Sequence, residues 1–162
     1  EKPFDGEKRI MIPSPKIATY DLKPEMSAYE ITDKLQEAIL TESYDLIVCN
    51  FANGDMVGHT GNITAAIKAV ETVDGCAGEL VHIGLKNNYT FLILADHGNA
   101  DFAINQNGSP NTAHTTNPVP CFILNTNFNT LENGKLADVA PTILKIMNVD
   151  IPTEMTGNIL VK

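Results

Sequence analysis

The sequence has few basic residues and no long apolar run, and each shortage excludes a class of protein. Lys and Arg number 11 against 20 Asp and Glu, which gives a net charge of −9 at pH 7. A nucleic-acid-binding surface is not expected, because phosphate contacts require clustered basic side chains. No stretch of about 18 apolar residues is present, so the sequence predicts no transmembrane helix and no membrane partner. The residues after Glu1 also lack the apolar segment of a signal peptide.

Cysteine is scarce as well. Cys49, Cys76 and Cys121 are far apart and odd in number, so a disulfide framework is not expected. Cys49 and Cys121 lie inside apolar runs, which predicts reduced thiols in the core. Free thiols and the absence of secretion signals together favour a cytoplasmic location.

The 162 residues are enough for one domain of ordinary size, and apolar segments alternate along them with amphipathic ones. Alternating strands and helices are typical of an α/β domain with a largely parallel sheet. The predicted strands are residues 44–51, 90–94 and 119–124, and the predicted helices are residues 27–43, 62–84 and 136–147.

Three further segments are predicted to be irregular. Four prolines within the first 24 residues favour an extended strap, in which residues 9–12 form at most a short edge strand. Loops are predicted at residues 52–61, which contain several glycines, and at residues 101–118, which are largely polar. A loop as long as the second one is usually functional in a compact domain.

Acidic and histidine side chains recur where predicted strands end. Asp55 and His59 follow one strand, Asp96 and His97 follow the next, and His114 lies in the long loop. Because the carboxyl ends of parallel strands meet at one edge of a sheet, we expect these side chains to converge. Carboxylate oxygen and neutral imidazole suit Zn²⁺, Mn²⁺ or Fe. Five such ligands are enough for two ions, an arrangement that suits phosphoryl transfer.

Each motif also has an ordinary structural interpretation. Asp55 and His59 are four residues apart, which is also the spacing of an ordinary side-chain pair on the surface of a helix. Asp96 and His97 together are compatible with a helix cap. His82, late in the long predicted helix, is expected to be exposed and to bind nothing. The occurrence of three such motifs beside strand ends favours the metal site.

The same residues carry a resemblance to a known family. Residues 50–61 (NFANGDMVGHTG), 95–100 (ADHGNA) and 112–115 (TAHT) resemble motifs of the cofactor-independent (2,3-bisphosphoglycerate-independent) phosphoglycerate mutases of the alkaline phosphatase superfamily. Residues 12–27 and 140–144 match as well. The resemblance implies an alkaline-phosphatase-like fold, in which an α/β/α arrangement of three layers encloses the sheet.

The resemblance also implies roles. Asp55, His59 and His114 correspond to ligands of one Mn²⁺ site, and Asp96 and His97 to ligands of a second. Co²⁺, Zn²⁺ and Mg²⁺ are alternative ions at both sites. The reaction interconverts 3- and 2-phosphoglycerate, in glycolysis and gluconeogenesis, through a phosphoserine enzyme.

Lys16 corresponds to a lysine near the substrate phosphate in this family. The family enzyme is expected to be a monomer. Two substitutions depart from its pattern: Asp101 stands where Glu is expected, and Phe102 where Met is more common.

The family enzyme is longer than this chain. Its nucleophilic serine, the remaining ligand of the second metal and its inserted substrate-binding domain all lie upstream of the matching part. Residues 1–162 are therefore expected to be the C-terminal part of its phosphatase-like domain, without a catalytic residue and inactive alone. The candidate hydroxyls within the chain are Ser14, Ser27, Ser43, Thr60 and Ser109, and none is expected to be the nucleophile. Ser109, in the loop of His114, is the least excluded of them.

Two alternatives remain open. One is a related metal-dependent phosphatase or phosphodiesterase that uses water or hydroxide as its nucleophile. The other is a non-catalytic domain whose sheet has an unpaired edge, which is prone to association.

Overall fold

The structure is a computed structural model that describes residues 2–162. The chain divides into two compact units. The first comprises the residues up to Asn87 together with Asn99–Thr115, and the second comprises Asn88–Gly98 and Thr116–Lys162. None of the helices in residues 2–162 has the length and apolar character needed to cross a membrane.

The first unit is helical. Its main elements are α1 (Ala28–Leu40), α2 (Asn53–Gly58) and α3 (Ile63–Lys86), and both α1 and α2 pack on α3. Short 3₁₀ turns occur at Tyr20–Leu22 and Ala100–Phe102. The core where these elements meet is small-residue-rich and contains Met26, Val57, Ala65, Ala66 and Ala69.

The two long helices lie close to their predicted bounds. Asn62 caps α3, and its Oδ1 accepts a hydrogen bond from the Ala65 amide at 3.2 Å. Apolar residues at helical spacing, among them Ile67 and Val70, predict the buried face of α3. In the structure both of these side chains are about half exposed, while small residues such as Ala69 are buried. Small side chains let the neighbouring helices approach α3 closely. The face of α3 that contacts them is therefore the one with small residues and not the one with the largest apolar side chains.

The start of α1 differs from the capping box that Ser27 and Glu30 predict. Ser27 makes no side-chain cap; its hydroxyl donates to the Pro13 carbonyl oxygen at 2.8 Å. The serine therefore attaches the proline-rich strap to the beginning of α1. Residues 9–12 of that strap form no strand.

The predicted buried strand over residues 44–51 is wrong for this structure. The segment has no regular secondary structure, and the Leu46 and Val48 side chains are 51% and 80% exposed. A strand requires a hydrogen-bonding neighbour, and no strand among residues 2–162 pairs with this segment. The core position predicted for Cys49 is wrong for the same reason, since Cys49 is exposed.

The second unit contains a two-stranded sheet, β1 (Phe91–Leu94) and β2 (Cys121–Leu124). The strands are antiparallel, with Phe91 opposite Leu124, which differs from the parallel pairing expected. Parallel strands need a crossover connection that is usually an α-helix. The connection between β1 and β2 contains only the 3₁₀ turn at Ala100–Phe102. Cys121 is half-buried in β2, and all three cysteines are free thiols.

The predicted last helix is divided into a 3₁₀ turn, Leu136–Asp138, and α4 (Val139–Ile146), with Pro141 in the first turn. The Asp138 carboxylate is buried and accepts hydrogen bonds from the Lys135 amide at 2.9 Å, the Lys135 ammonium at 2.9 Å and the Asn158 amide at 2.8 Å. These donors, the Lys135 amide first, lower the pKa of Asp138 to about 2. Asp138 thus fastens the C-terminal segment to α4.

The C-terminal segment packs closely against Ala137 at Gly157, so Gly157→Ala should destabilise the fold. A Cβ on Gly157 would overlap the Ala137 carbonyl group, with the carbonyl carbon 2.7 Å away. Because backbone must move, we expect the substitution to lower the free energy of unfolding by about 1–3 kcal/mol in urea denaturation. The matched control is Gly75→Ala in α3, where a Cβ meets no atom within 4 Å. It should stabilise by roughly 0.5–1 kcal/mol. Equal effects of the two variants would contradict the packing seen here.

Asp138 predicts a defined pH dependence. Because its pKa is lowered from 3.8 to about 2 on folding, its stabilising contribution is complete above about pH 4 and is lost as the pH falls toward 2. Asp138→Asn should therefore have a lower urea midpoint than the parent chain at pH 7, and the difference should narrow between pH 4 and 2. Asp74→Asn, at an exposed position of α3, is the control and should change little. A difference that stays constant with pH would refute this account.

Candidate metal centre

The short helix α2 presents two different faces. On one face, Val57 is fully buried in the core and Asn53 donates from Nδ2 to the carbonyl oxygens of Pro24 and Glu25, both at 2.9 Å. Asp55 and His59 lie on the other face, also four residues apart. The sequence predicted a loop here, but one helical turn is what brings the carboxylate and the imidazole together.

The polar loop brings His114 to the same place. Gly61 has a φ of +71°, and a Cβ on it would lie 3.0 Å from the Pro110 side chain and 3.2 Å from that of Thr112. The loop therefore packs directly on the turn that follows α2. Asn111 stabilises the loop by donating to the carbonyl oxygens of Phe102 and Ala113, at 2.9 and 3.2 Å.

Three potential ligand atoms meet between α2 and this loop. Asp55 Oδ1 lies 3.1 Å from His59 Nε2 and 3.0 Å from His114 Nε2. The two Nε2 atoms are themselves 3.1 Å apart. The atoms thus form a nearly equilateral triangle, on side chains that are 31–49% exposed and so open to solvent.

The backbone orients the ring of His59. Its Nδ1 lies 2.6 Å from the Thr112 carbonyl oxygen, which can only accept a hydrogen bond. Nδ1 therefore donates to that oxygen, and Nε2 is the ring nitrogen that faces Asp55 and His114. A backbone carbonyl behind the ring is the usual support of a metal-ligating histidine.

The donor set fits a divalent metal ion. Ligand atoms about 2.0–2.1 Å from one ion lie roughly 2.8–3.4 Å from each other, the shorter values in octahedral and the longer in tetrahedral coordination. The three distances measured here agree with that separation. Among residues 2–162, Asp55, His59 and His114 are the one group of three or more such side chains close enough to share an ion.

The other two candidate ligands belong to the second unit. Asp96 follows β1 by two residues and is exposed, and His97 beside it is 30% exposed at the side chain. Asp96 Oδ1 accepts from the His97 amide at 3.1 Å, and Asp96 Oδ2 lies 3.7 Å from His97 Nε2. Their placement after a strand is as expected, and their role as ligands of a second ion stays a prediction.

Two further residues named in the sequence analysis, Lys16 and His82, are both exposed. Lys16 lies exposed on the proline-rich strap, where its role in substrate binding stays a prediction. His82 is exposed near the C-terminal end of α3, as expected for a residue outside the site.

One residue of the centre was not singled out from the sequence. Asn99, only 5% exposed, donates from Nδ2 to Asp55 Oδ1 at 2.8 Å. The only feature of the sequence that points to Asn99 is its position in the motif at residues 95–100, directly after Asp96, His97 and Gly98.

Comparison with known proteins agrees with this geometry. A family model described as the metalloenzyme superfamily matches residues 1–151. The chain belongs to the metalloenzyme superfamily.

Proteins of high sequence similarity are known from bacteria. The chain is 58% identical over its whole length to the 2,3-bisphosphoglycerate-independent phosphoglycerate mutase of Bacteroides thetaiotaomicron. It is 56% identical to the enzyme of the same name from Parabacteroides distasonis. In both cases it covers 32% of the relative, so the chain spans about a third of the length of these proteins. The resemblance deduced from the sequence motifs is confirmed.

A solved structure supports the fold. The chain superposes on a crystal structure of Leishmania mexicana phosphoglycerate mutase, obtained at low cobalt concentration, with a TM-score of 0.83 and 30% identity. The match covers 93% of this chain and 31% of that one. The alkaline-phosphatase-like α/β class predicted from the sequence is therefore confirmed.

The centre predicts that Mn²⁺ or Co²⁺ stabilises the chain. At a metal concentration 100 times the dissociation constant, binding should add about 2.7 kcal/mol to the free energy of unfolding, seen as a higher thermal midpoint that EDTA reverses. His114→Ala removes one of the three candidate ligands and should abolish most of this shift. His82→Ala is the matched control, because His82 is exposed and lies on α3. A midpoint shift that survives His114→Ala would exclude this centre as the binding site.

Proposed function

We propose that this chain is the metal-binding part of a cofactor-independent phosphoglycerate mutase, an isomerase that interconverts 3- and 2-phosphoglycerate. The observation that carries the proposal is the triangle of Asp55, His59 and His114. Its support is a sequence 58% identical to an enzyme of that name. The proposed location is the cytoplasm, and the complete enzyme is proposed to be a monomer.

The metal ion of the proposal is Mn²⁺, with a second ion held by Asp96, His97 and a ligand outside these residues. Co²⁺, Zn²⁺ and Mg²⁺ are the alternatives that this donor set accepts. Bound divalent ions neutralise charge on a transferring phosphoryl group and activate an oxygen nucleophile. For its part the chain holds Asp55 on α2 and orients the His59 ring through the contact of Nδ1 with the Thr112 carbonyl oxygen. Lys16 contributes a positive charge for the substrate phosphate.

The nucleophilic serine is proposed to lie outside this chain, as is the inserted substrate-binding domain. Several hydroxyls here already donate to the backbone: Ser27 to Pro13, Ser43 to Thr41 and Thr60 to Val57. Ser109 donates to the side chain of Asn107 at 2.7 Å. These bonds support the proposal that the reaction through a phosphoserine depends on a residue from elsewhere.

The proposal predicts that the purified chain does not convert 3- to 2-phosphoglycerate with Mn²⁺ present. A longer protein that includes the upstream part should convert it, and His114→Ala should abolish that conversion while His82→Ala should not. The measurement is a coupled assay with enolase, which consumes 2-phosphoglycerate. Turnover by the chain alone would overturn the placement of the nucleophile. Hydrolysis of p-nitrophenyl phosphate by the longer protein without mutase activity would favour a metal-dependent phosphatase instead.

A further inference from the structure

We propose that Asn99 is a positioning residue of the metal centre, which orients the Asp55 carboxylate while its own carbonyl oxygen is left without a hydrogen bond. This inference rests on the metal-binding half of the proposed function and is independent of the mutase reaction. Asn99 offers no ligand atom to the triangle and acts on it only through Asp55.

The contact is directed at one oxygen. Asn99 Nδ2 donates to Asp55 Oδ1 at 2.8 Å and lies 3.4 Å from the Asp55 carbonyl oxygen. Oδ1 is the same atom that lies 3.0 and 3.1 Å from the two imidazole Nε2 atoms. A neutral amide donor fixes the direction of the carboxylate without cancelling its charge, so the oxygen still attracts a cation.

The other end of the carboxamide has no partner. Asn99 Oδ1 is the one buried side-chain polar atom of the described residues that makes no hydrogen bond. Turning the carboxamide over would direct Oδ1 at the Asp55 carboxylate, which is repulsive. The observed orientation is therefore set by Asp55, and it leaves a buried acceptor unsatisfied. Such an atom destabilises a fold, so stability does not explain an asparagine here.

The neighbouring residue on α2 is shaped to this arrangement. A Cβ on Gly58 would overlap Asn99 Oδ1 and would lie 3.0 Å from Asn99 Cγ and 3.4 Å from Asn99 Nδ2. All three of its nearest atoms belong to the Asn99 side chain. Gly58 thus provides the space in which the carboxamide lies against α2, and the two residues form a pair.

Asn53 is a buried asparagine of the same unit with a structural role, and it provides a matched comparison. Its Nδ2 donates to two backbone carbonyl oxygens and holds α2 in place. Removal of Asn53 should lower the stability of the fold and with it the affinity for metal. Removal of Asn99 should lower the affinity for metal without lowering the stability of the fold. The reason is that its side chain orients Asp55 but also carries the unsatisfied oxygen.

The test measures Mn²⁺ affinity by competition with a fluorescent chelator and the thermal midpoint of the metal-free chain. Asn99→Ala should weaken Mn²⁺ binding about 10- to 100-fold, the usual effect of removing a partner behind a metal ligand. Its metal-free midpoint should be unchanged or higher. Asn53→Ala should lower the metal-free midpoint. If Asn99→Ala lowered both the metal-free midpoint and the Mn²⁺ affinity, the proposal would be overturned in favour of a structural role for Asn99.

Gly58→Ala provides a second, independent test that removes no polar group. Its Cβ should displace the carboxamide and weaken Mn²⁺ binding. In the double variant Asn99→Ala with Gly58→Ala, the space is free, so the second change should add little to the first. Additive losses in affinity would overturn the pairing of Gly58 with Asn99. Absence of Mn²⁺ binding by the parent chain would overturn this inference, whereas failure of the mutase assay alone would leave it standing.

Discussion

The candidate centre depends on the close approach of one carboxylate and two imidazole groups between α2 and the loop that carries His114. The carboxylate oxygen and the two imidazole nitrogens lie within 3.0–3.1 Å of each other, and the Thr112 carbonyl oxygen orients the His59 ring from behind. Such an arrangement forms only where the surrounding structure holds each side chain. The packing of α2, the loop on Gly61 and the hydrogen bond from Asn99 all serve that purpose.

The fold and the site share one six-residue helix. A helix as short as α2 is not stable by itself, so tertiary contacts must hold it. Val57 and Asn53 supply those contacts on one face, while Asp55 and His59 occupy the other. Consequently the position of the ligands is determined by the core beneath them. The alanine-rich face of α3 contributes by letting α2 approach closely.

Sequence reasoning located α1, α3, β1 and β2 because each has a clear periodicity or apolar run bounded by turn residues. It also singled out Asp55, His59 and His114, which the structure brings together, although the strand predicted to precede Asp55 does not form in the described residues. It failed for residues 44–51, whose apolar run has strand character but finds no partner strand among residues 2–162. The antiparallel pairing of β1 with β2 was likewise not evident, because pairing depends on contacts distant in sequence. Asn99 was overlooked since an asparagine has no signature of its own.

Two aspartates show how environment separates structural from functional carboxylates. Asp138 is buried and surrounded by donors, two backbone amides and an ammonium group, which together hold its pKa near 2. Its charge is satisfied within the protein, so it stabilises the fold. Asp55 is 31% exposed at the side chain, faces the Nε2 atoms of two imidazole rings and is oriented by a neutral amide. A cation can reach the Asp55 carboxylate from solvent, whereas the Asp138 carboxylate is enclosed by its donors. This difference in surroundings makes Asp138 a structural carboxylate and Asp55 the candidate ligand of the proposed metal centre.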